Sequence, residues 1–121
     1  MRPTILVAEP EPLQALSARK LVLETAKFNV LTAHSTSEAL EEIERFPAVS
    51  AAVLVYESSL ACDQIIQSVR RKIPDLPVIV LSPLDGFKVA GADYIISSHD
   101  PEKLVVLMRK LLGDPRAADG S

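Results

Sequence analysis

The chain has 121 residues, of which 48% are hydrophobic and 24% charged, and its formal net charge is −3 at pH 7. This length favours one domain with one core, and the acidic balance excludes the basic footprint of a nucleic-acid-binding domain. No stretch approaches the ~20 apolar residues that span a bilayer, and a single cysteine, Cys62, excludes an internal disulfide and favours a cytoplasmic protein.

Short apolar runs alternate with amphipathic segments through the first half of the chain. The predicted elements are a strand over 4–8, a helix over 12–27, a strand over 28–33 and a helix over 37–45. Ser35 is followed three residues later by Glu38, which is the spacing of a capping box at a helix start. The first half therefore has a strand–helix–strand–helix order.

The second half continues the same alternation. The predicted elements are a strand over 51–56, a helix over 61–72, strands over 77–81 and 93–97, and a last helix over 101–112. The third strand is apolar without alternation, as in a strand buried on both faces of a parallel sheet. Asp100 and Pro101 suit the cap and first turn of the last helix, and Gly113 suits its end. The basic run 70–72 is interpreted as a solvated helix end.

The connection between the fourth and fifth strands interrupts this rhythm. Only eight residues separate Ser82 from Gly91, whereas a crossover between parallel strands takes at least ~10–12 residues. We therefore expect a loop, or at best one helical turn over 87–90. The prediction is a five-stranded parallel sheet with helices on both faces and a shortened or missing fourth helix. Residues 1–113 form this domain, and 114–121 form a flexible tail or the start of a linker.

Five stretches, in order and at nearly correct spacing, resemble the receiver domain of two-component response regulators, the CheY-like superfamily. They are ILVAEPEP (5–12), SEAL (37–40), PVIVLS (77–82), AGADYI (90–95) and DPEKL (100–104). The resemblance covers about residues 4–113. It implies a flavodoxin-like, doubly wound (βα)5 fold with strand order 2-1-3-4-5.

The resemblance also implies a chemistry, which is phosphoryl transfer from a kinase phosphohistidine to an aspartate with the help of Mg²⁺ and a lysine. The family's acidic pair falls on Glu9 and Pro10, so one carboxylate is lost, and Glu11 is the next acidic residue. The phosphoacceptor falls on Tyr56. Tyrosine is a poor replacement because an acyl phosphate requires a carboxylate.

Two further positions complete the family's phosphorylation pocket. Ser82 retains the hydroxyl after the fourth strand, but Ser97 stands where the family has its lysine. We therefore expect a degenerate pseudo-receiver without a catalytic residue, a cofactor or a strong Mg²⁺ site. It would be a phosphorylation-independent interaction module of two-component signalling that binds a kinase, an output domain or a second copy of itself.

Three alternatives stay open. A register shift of one residue would place Glu57 at the acceptor position, and Glu57 or Asp63 would then accept the phosphoryl group while Glu9 and Glu11 support a metal. Glu57 could instead mimic a phosphorylated aspartate. Neighbouring strand residues point to opposite faces, so Tyr56 and Glu57 cannot both face the cleft of a regular strand; the Tyr56 ring is expected to fill the former acidic pocket near Ser82.

The third alternative is a small-molecule or redox site on the flavodoxin-like scaffold. The sequence disfavours it because only four glycines are present and none lies in a glycine-rich turn. Pro10 and Pro12 occupy the first strand-to-helix turn, where they remove the backbone N–H donors that phosphate binding would use.

Overall fold

The computed structural model describes residues 2–10, 18–84, 86 and 88–116. Five parallel strands form one sheet in the order β2-β1-β3-β4-β5, as predicted. The strands are β1 (Thr4–Ala8), β2 (Asn29–Ala33), β3 (Ala51–Val55), β4 (Val78–Ser82) and β5 (Tyr94–Ser97). The helices are α1 (Ala18–Thr25), α2 (Thr36–Arg45), α3 (Cys62–Lys72) and α4 (Pro101–Leu112). The predicted start of the first helix at Pro12 lies outside the described residues.

Alternate residues of the central strands enter two separate cores. Leu6 and Ala8 of β1 belong to the core covered by α2 and α3, whereas Ile5 and Val7 belong to the core covered by α1 and α4. The five residues of β3 are all buried, and so are those of β4. Their continuous apolar runs follow from this burial on both faces, and the predicted layered α/β architecture is confirmed.

Two of the predicted helix caps are present. The Ser35 hydroxyl accepts the Glu38 N–H at 3.1 Å, and the Glu38 carboxylate accepts the N–H of His34 rather than that of Ser35. The Asp100 carboxylate accepts the Lys103 N–H at 3.2 Å at the start of α4. These side chains satisfy backbone donors that the first helical turn leaves unpaired.

The connection between β4 and β5 contains no helix in its described residues, 83–84, 86 and 88–93. Asp85 and Phe87 lie outside them. Arg70, in the last turn of α3, reaches across to this connection. Its Nη2 donates to the Gly91 carbonyl at 2.7 Å and to the Asp93 carboxylate at 2.9 Å. The Arg70 guanidinium therefore anchors the end of the connection between β4 and β5, in which the described residues form no helix.

The same arginine also ties down the turn that leads into β4. Its Nη1 donates to the carbonyls of Pro74 at 3.1 Å and Leu76 at 2.9 Å. The Asp93 carboxylate in turn accepts the Val78 N–H at 2.7 Å. Burial raises the pKa of Asp93, but the hydrogen bonds from Arg70 and Val78 and the charge of Arg70 outweigh it and hold that pKa below its usual value.

The prediction that residues 70–72 are a solvated helix end is therefore wrong for Arg70, whose guanidinium is committed to the fold. Arg71 and Lys72 are exposed, as predicted. Beyond α4, Pro115 is buried and Asp114 accepts hydrogen bonds from Arg116. The assignment of 114–121 to a tail or linker stays a prediction. None of the helices in the described ranges reaches the length and apolarity that a bilayer crossing requires.

Candidate functional site

The strand register places three of the predicted site residues at one level. Ser82 of β4 lies opposite Ser97 of β5. The Tyr56 N–H, just beyond β3, donates to the carbonyl of Leu81 at 2.8 Å, which sets Tyr56 beside Ser82. Side chains alternate between the two faces of the sheet, and these three positions continue the set of alternate residues that faces α2 and α3. Tyr56, Ser82 and Ser97 therefore form a row at the carboxyl end of the sheet.

The register favours Tyr56 over Glu57 at the level of Ser82, since Val55 pairs with Leu81. β3 ends at Val55, so the strict alternation of strand side chains no longer applies beyond it. Tyr56 and Glu57 in fact line the same cleft, of about 390 Å³, together with residues at the start of α3 and Lys88. The expectation that only one of the two can face the cleft holds for a regular strand, and it does not apply here because both residues lie beyond the end of β3.

The Tyr56 side chain is more open than a ring that fills a pocket. Tyr56 is 38% exposed, whereas Ser82 beside it is buried. Glu57 and Asp63 are exposed residues of the same cleft, and Asp63 lies in the first turn of α3. Glu11, the other candidate acidic residue, lies outside the described residues. The cleft thus brings Tyr56, Glu57 and Asp63 together at its surface.

Glu9 lies apart from this row. It lies two residues after Val7, whose side chain faces α1 and α4, and therefore continues the same face of the sheet. Its carboxylate accepts a hydrogen bond from Arg19 Nη1 of α1 at 2.9 Å. Glu9 is only 4% exposed. A buried carboxylate needs such a partner because desolvation of an unpaired charge is costly.

The described residues at this end of the sheet do not fit a divalent metal. Among the described residues, no group of three His, Cys, Asp or Glu side chains could hold a metal ion. Glu9 already contacts a cation, and the next residue is Pro10, which offers neither a carboxylate nor an N–H. Mg²⁺ takes oxygen ligands in near-ideal octahedral geometry, and one carboxylate that is already paired does not supply them.

Both serines of the row use their hydroxyl groups in the turns that follow their strands. Ser82 Oγ donates to the Leu84 carbonyl at 3.0 Å and lies 3.1 Å from the Leu84 N–H, which donates to it. Ser97 Oγ accepts the N–H of His99 at 3.1 Å. Each serine hydroxyl therefore stabilises the turn after its strand, and neither side chain carries a positive charge.

Cys62 lines the cleft but is not an activated nucleophile. It is buried at the start of α3, with Sγ 3.8 Å from the Val55 carbonyl. Burial raises the pKa of its thiol, and the charge of Asp63 raises it further. The thiol is therefore protonated at neutral pH, whereas a reactive cysteine needs a lowered pKa.

Sequence reasoning missed Arg19 as a functional residue. Arg19 stands next to Lys20 in the same helix, and nothing in the local pattern says which of the two cations turns towards the end of β1. The signal that was available is the isolated Glu9, because a carboxylate directly after a buried strand implies a cationic partner somewhere in the chain.

Several solved structures share this architecture. A response regulator receiver domain protein from Clostridium thermocellum superposes with a TM-score of 0.77 at 22% identity, over 96% of this chain and 98% of that one. This chain has the receiver fold. TrrA from Thermotoga maritima, solved in complex with Mg²⁺–BeF, gives 0.72 at 23% identity over 91% of this chain and 99% of that one.

A more distant likeness has a different description. A pilus assembly-related protein from Burkholderia pseudomallei shares the receiver fold at a TM-score of 0.70 and 14% identity, over 90% of this chain and 88% of that one. No protein-family model and no curated protein sequence matches the chain.

Proposed function

We propose that this chain is a receiver-type domain of two-component signalling that acts as a phosphorylation-independent protein-interaction module in the cytoplasm, and not as an enzyme. The observation that carries the proposal is the row at the carboxyl end of the sheet. Tyr56, directly after β3, lies beside Ser82 at the position where a receiver would need its acceptor carboxylate. A phenol oxygen cannot form the acyl phosphate of that reaction.

Among the described residues at this end, the other groups that phosphoryl transfer requires are replaced or already engaged, although Lys88 lines the neighbouring cleft. Cations accelerate phosphoryl transfer because they stabilise the negative charge of the phosphoryl oxygens in the transition state. Ser97 is neutral where the family carries lysine, and the Glu9 carboxylate is paired with Arg19. The Ser82 hydroxyl is held by Leu84. The neutral Ser97 and the engagement of Glu9 and Ser82 with other groups each support the same proposal.

The remaining function is assigned to an apolar surface between the edge strand β5 and the helix α4, which we call the β5–α4 surface. Its apolar residues are Tyr94, Ile96, Val106 and Leu107, and they line a groove of about 470 Å³. Tyr94 is 39% exposed and Val106 is 62% exposed. Exposed apolar residues that cluster in this way are typical of protein-binding sites. We propose a kinase, an output domain or a second copy of the chain as the partner.

Phosphorylation is tested by incubation with acetyl phosphate or beryllofluoride and Mg²⁺, followed by intact mass and NMR spectra. TrrA, which was solved with Mg²⁺–BeF, is the positive control. We expect no phospho-adduct and no Mg²⁺-dependent shift around Glu9. A stable adduct would contradict the proposal, and Glu57→Gln and Asp63→Asn variants would then identify the acceptor.

The surface is tested by comparing two substitutions of exposed apolar residues. Val106→Asp should weaken self-association or kinase binding by at least about tenfold, since a charge is placed in an apolar contact. Phe46→Asp, at the other end of the sheet, should leave both unchanged. Equal effects of the two variants in sedimentation velocity and binding titrations would rule out this surface. Glu57→Gln should bind as the wild type does, and a loss would favour Glu57 as a phosphoaspartate mimic.

A further inference from the structure

The ion pair between Glu9 and Arg19 lies at the carboxyl end of β1, outside the row formed by Tyr56, Ser82 and Ser97. Glu9 directly follows β1, and Arg19 is the second residue of α1 as described. The Glu9 side chain is 5% exposed and the Arg19 side chain 28% exposed, with 2.9 Å between Oε2 and Nη1. An anion in such surroundings is held in place by its counter-charge and not by water.

Two further atoms of this pair are buried without hydrogen-bond partners in the described part of the chain. They are Glu9 Oε1 and Arg19 Nε. One is an acceptor and the other a donor, and they belong to the same two side chains. A guanidinium and a carboxylate commonly form two parallel hydrogen bonds. A small rotation, or one shared water, would therefore satisfy both atoms at once.

The guanidinium therefore engages one oxygen of the carboxylate, Oε2, at 2.9 Å, and the unpartnered Oε1 and Nε belong to the same two side chains. A metal ion at this position would have to displace the guanidinium from Oε2. Pro10, the next residue, offers it no carboxylate. The Arg19 guanidinium is part of the chain, whereas the occupancy of a metal site depends on the concentration of free metal ion.

We propose that the Arg19 guanidinium is the permanent cation of this end of the sheet and that it excludes a divalent metal from Glu9. The same cation then compensates the Glu9 carboxylate whether or not Mg²⁺ is present. This inference goes beyond the proposed function, because a domain that is not phosphorylated could still bind a metal. It concerns which cation compensates the buried carboxylate.

The test compares melting temperatures of the full chain with MgCl₂ or MnCl₂ and with NaCl of equal ionic strength. Arg19→Gln should melt lower than the wild type and recover part of the loss with the divalent cations. Its apparent Mn²⁺ affinity should exceed that of the wild type by at least about tenfold. The Glu9→Gln/Arg19→Gln double variant should not recover, and Arg71→Gln is the matched control on an exposed arginine.

An Arg19→Gln variant that melts as the wild type does, or that does not respond to divalent cations, would overturn the inference. If Arg19→Gln does not fold, the wild type itself provides the measurement through Mn²⁺ broadening of amide signals. We expect no selective broadening at Ala8 and Glu9. Selective broadening there without a phospho-adduct contradicts this inference alone, whereas a phospho-adduct contradicts the proposed function.

Discussion

Two arginines form ion pairs at opposite faces of this sheet, and the carboxylates that they contact differ in exposure. Arg19 neutralises one buried carboxylate, Glu9, whose side chain is 5% exposed. Arg70 joins three backbone carbonyls and the Asp93 carboxylate, whose side chain is 43% exposed. Water can replace much of what Arg70 does for Asp93, but little of what Arg19 does for Glu9. Arg19 therefore compensates a buried charge, whereas Arg70 mainly holds the connection between β4 and β5 in place.

The largest effect is expected at the buried pair. Arg19→Met removes the cation and leaves the Glu9 carboxylate uncompensated, which should lower the free energy of unfolding by about 3 kcal/mol. Arg19→Met combined with Glu9→Met should recover most of that loss, since two apolar side chains need no pairing. Urea denaturation measures both values. A double variant as unstable as the single one would show that the charge is not the cause.

Gly91 should rank next, and it belongs to the Arg70 region. Its φ is +85°, and an added Cβ would lie 2.7 Å from Ile66 Cγ2. Gly91→Ala should therefore cost about 2–3 kcal/mol from backbone strain and overpacking together. Gly113 has nearly the same φ, +84°, with nothing within 4 Å of its added Cβ. Gly113→Ala should cost only about 1 kcal/mol, and equal losses would exclude the contact with Ile66.

Arg70→Met should cost about 1–2 kcal/mol, less than Arg19→Met, because most of its freed acceptors can reach water. Its second consequence is local. We expect faster hydrogen exchange at Asp93 and Val78, which the Arg70–Asp93 contact holds together. Arg71→Met is the control for loss of a positive charge in the same helix turn. An equal loss in that variant would point to charge alone.

A smaller, pH-dependent effect should appear at Asp93. Its pKa is lowered in the folded protein, so its contribution to stability is present above the unfolded-state value of about 3.9 and is lost as pH falls through the folded-state value. Wild-type stability should therefore decline below about pH 4 more steeply than that of Asp93→Asn. Parallel acid slopes in urea denaturation would contradict this assignment.

The smallest effect is expected at the exposed contact between α2 and α3. Lys72 Nζ lies 2.9 Å from Glu44 Oε1, with side chains 43% and 61% exposed. Exposed pairs of this kind contribute little and are screened by salt. Lys72→Met should leave the melting temperature unchanged within error. A loss comparable to that of Arg70→Met would mean that exposure does not explain the difference between the two arginines.

Local patterns were sufficient for most of the fold. The apolar runs of β3 and β4, the Ser35 and Asp100 caps and the short connection before Gly91 each depend on residues close in sequence. The site was predicted less completely, because register beyond a strand end is not a local property. Tyr56 and Glu57 were separated by alternation in the sequence, but the chain turns after Val55 and brings both to one cleft.

The sequence by itself determined the layered α/β fold and the short connection between the fourth and fifth strands, since periodicity and loop length are read directly. Only the tertiary structure decided which cation contacts Glu9 and which one contacts the connection between β4 and β5. Arg19 and Glu9 are ten residues apart, and Arg70 and Asp93 are 23 apart. Such pairs form where two elements happen to cross, and their neighbours Lys20 and Arg71 carry the same charge in the same local pattern.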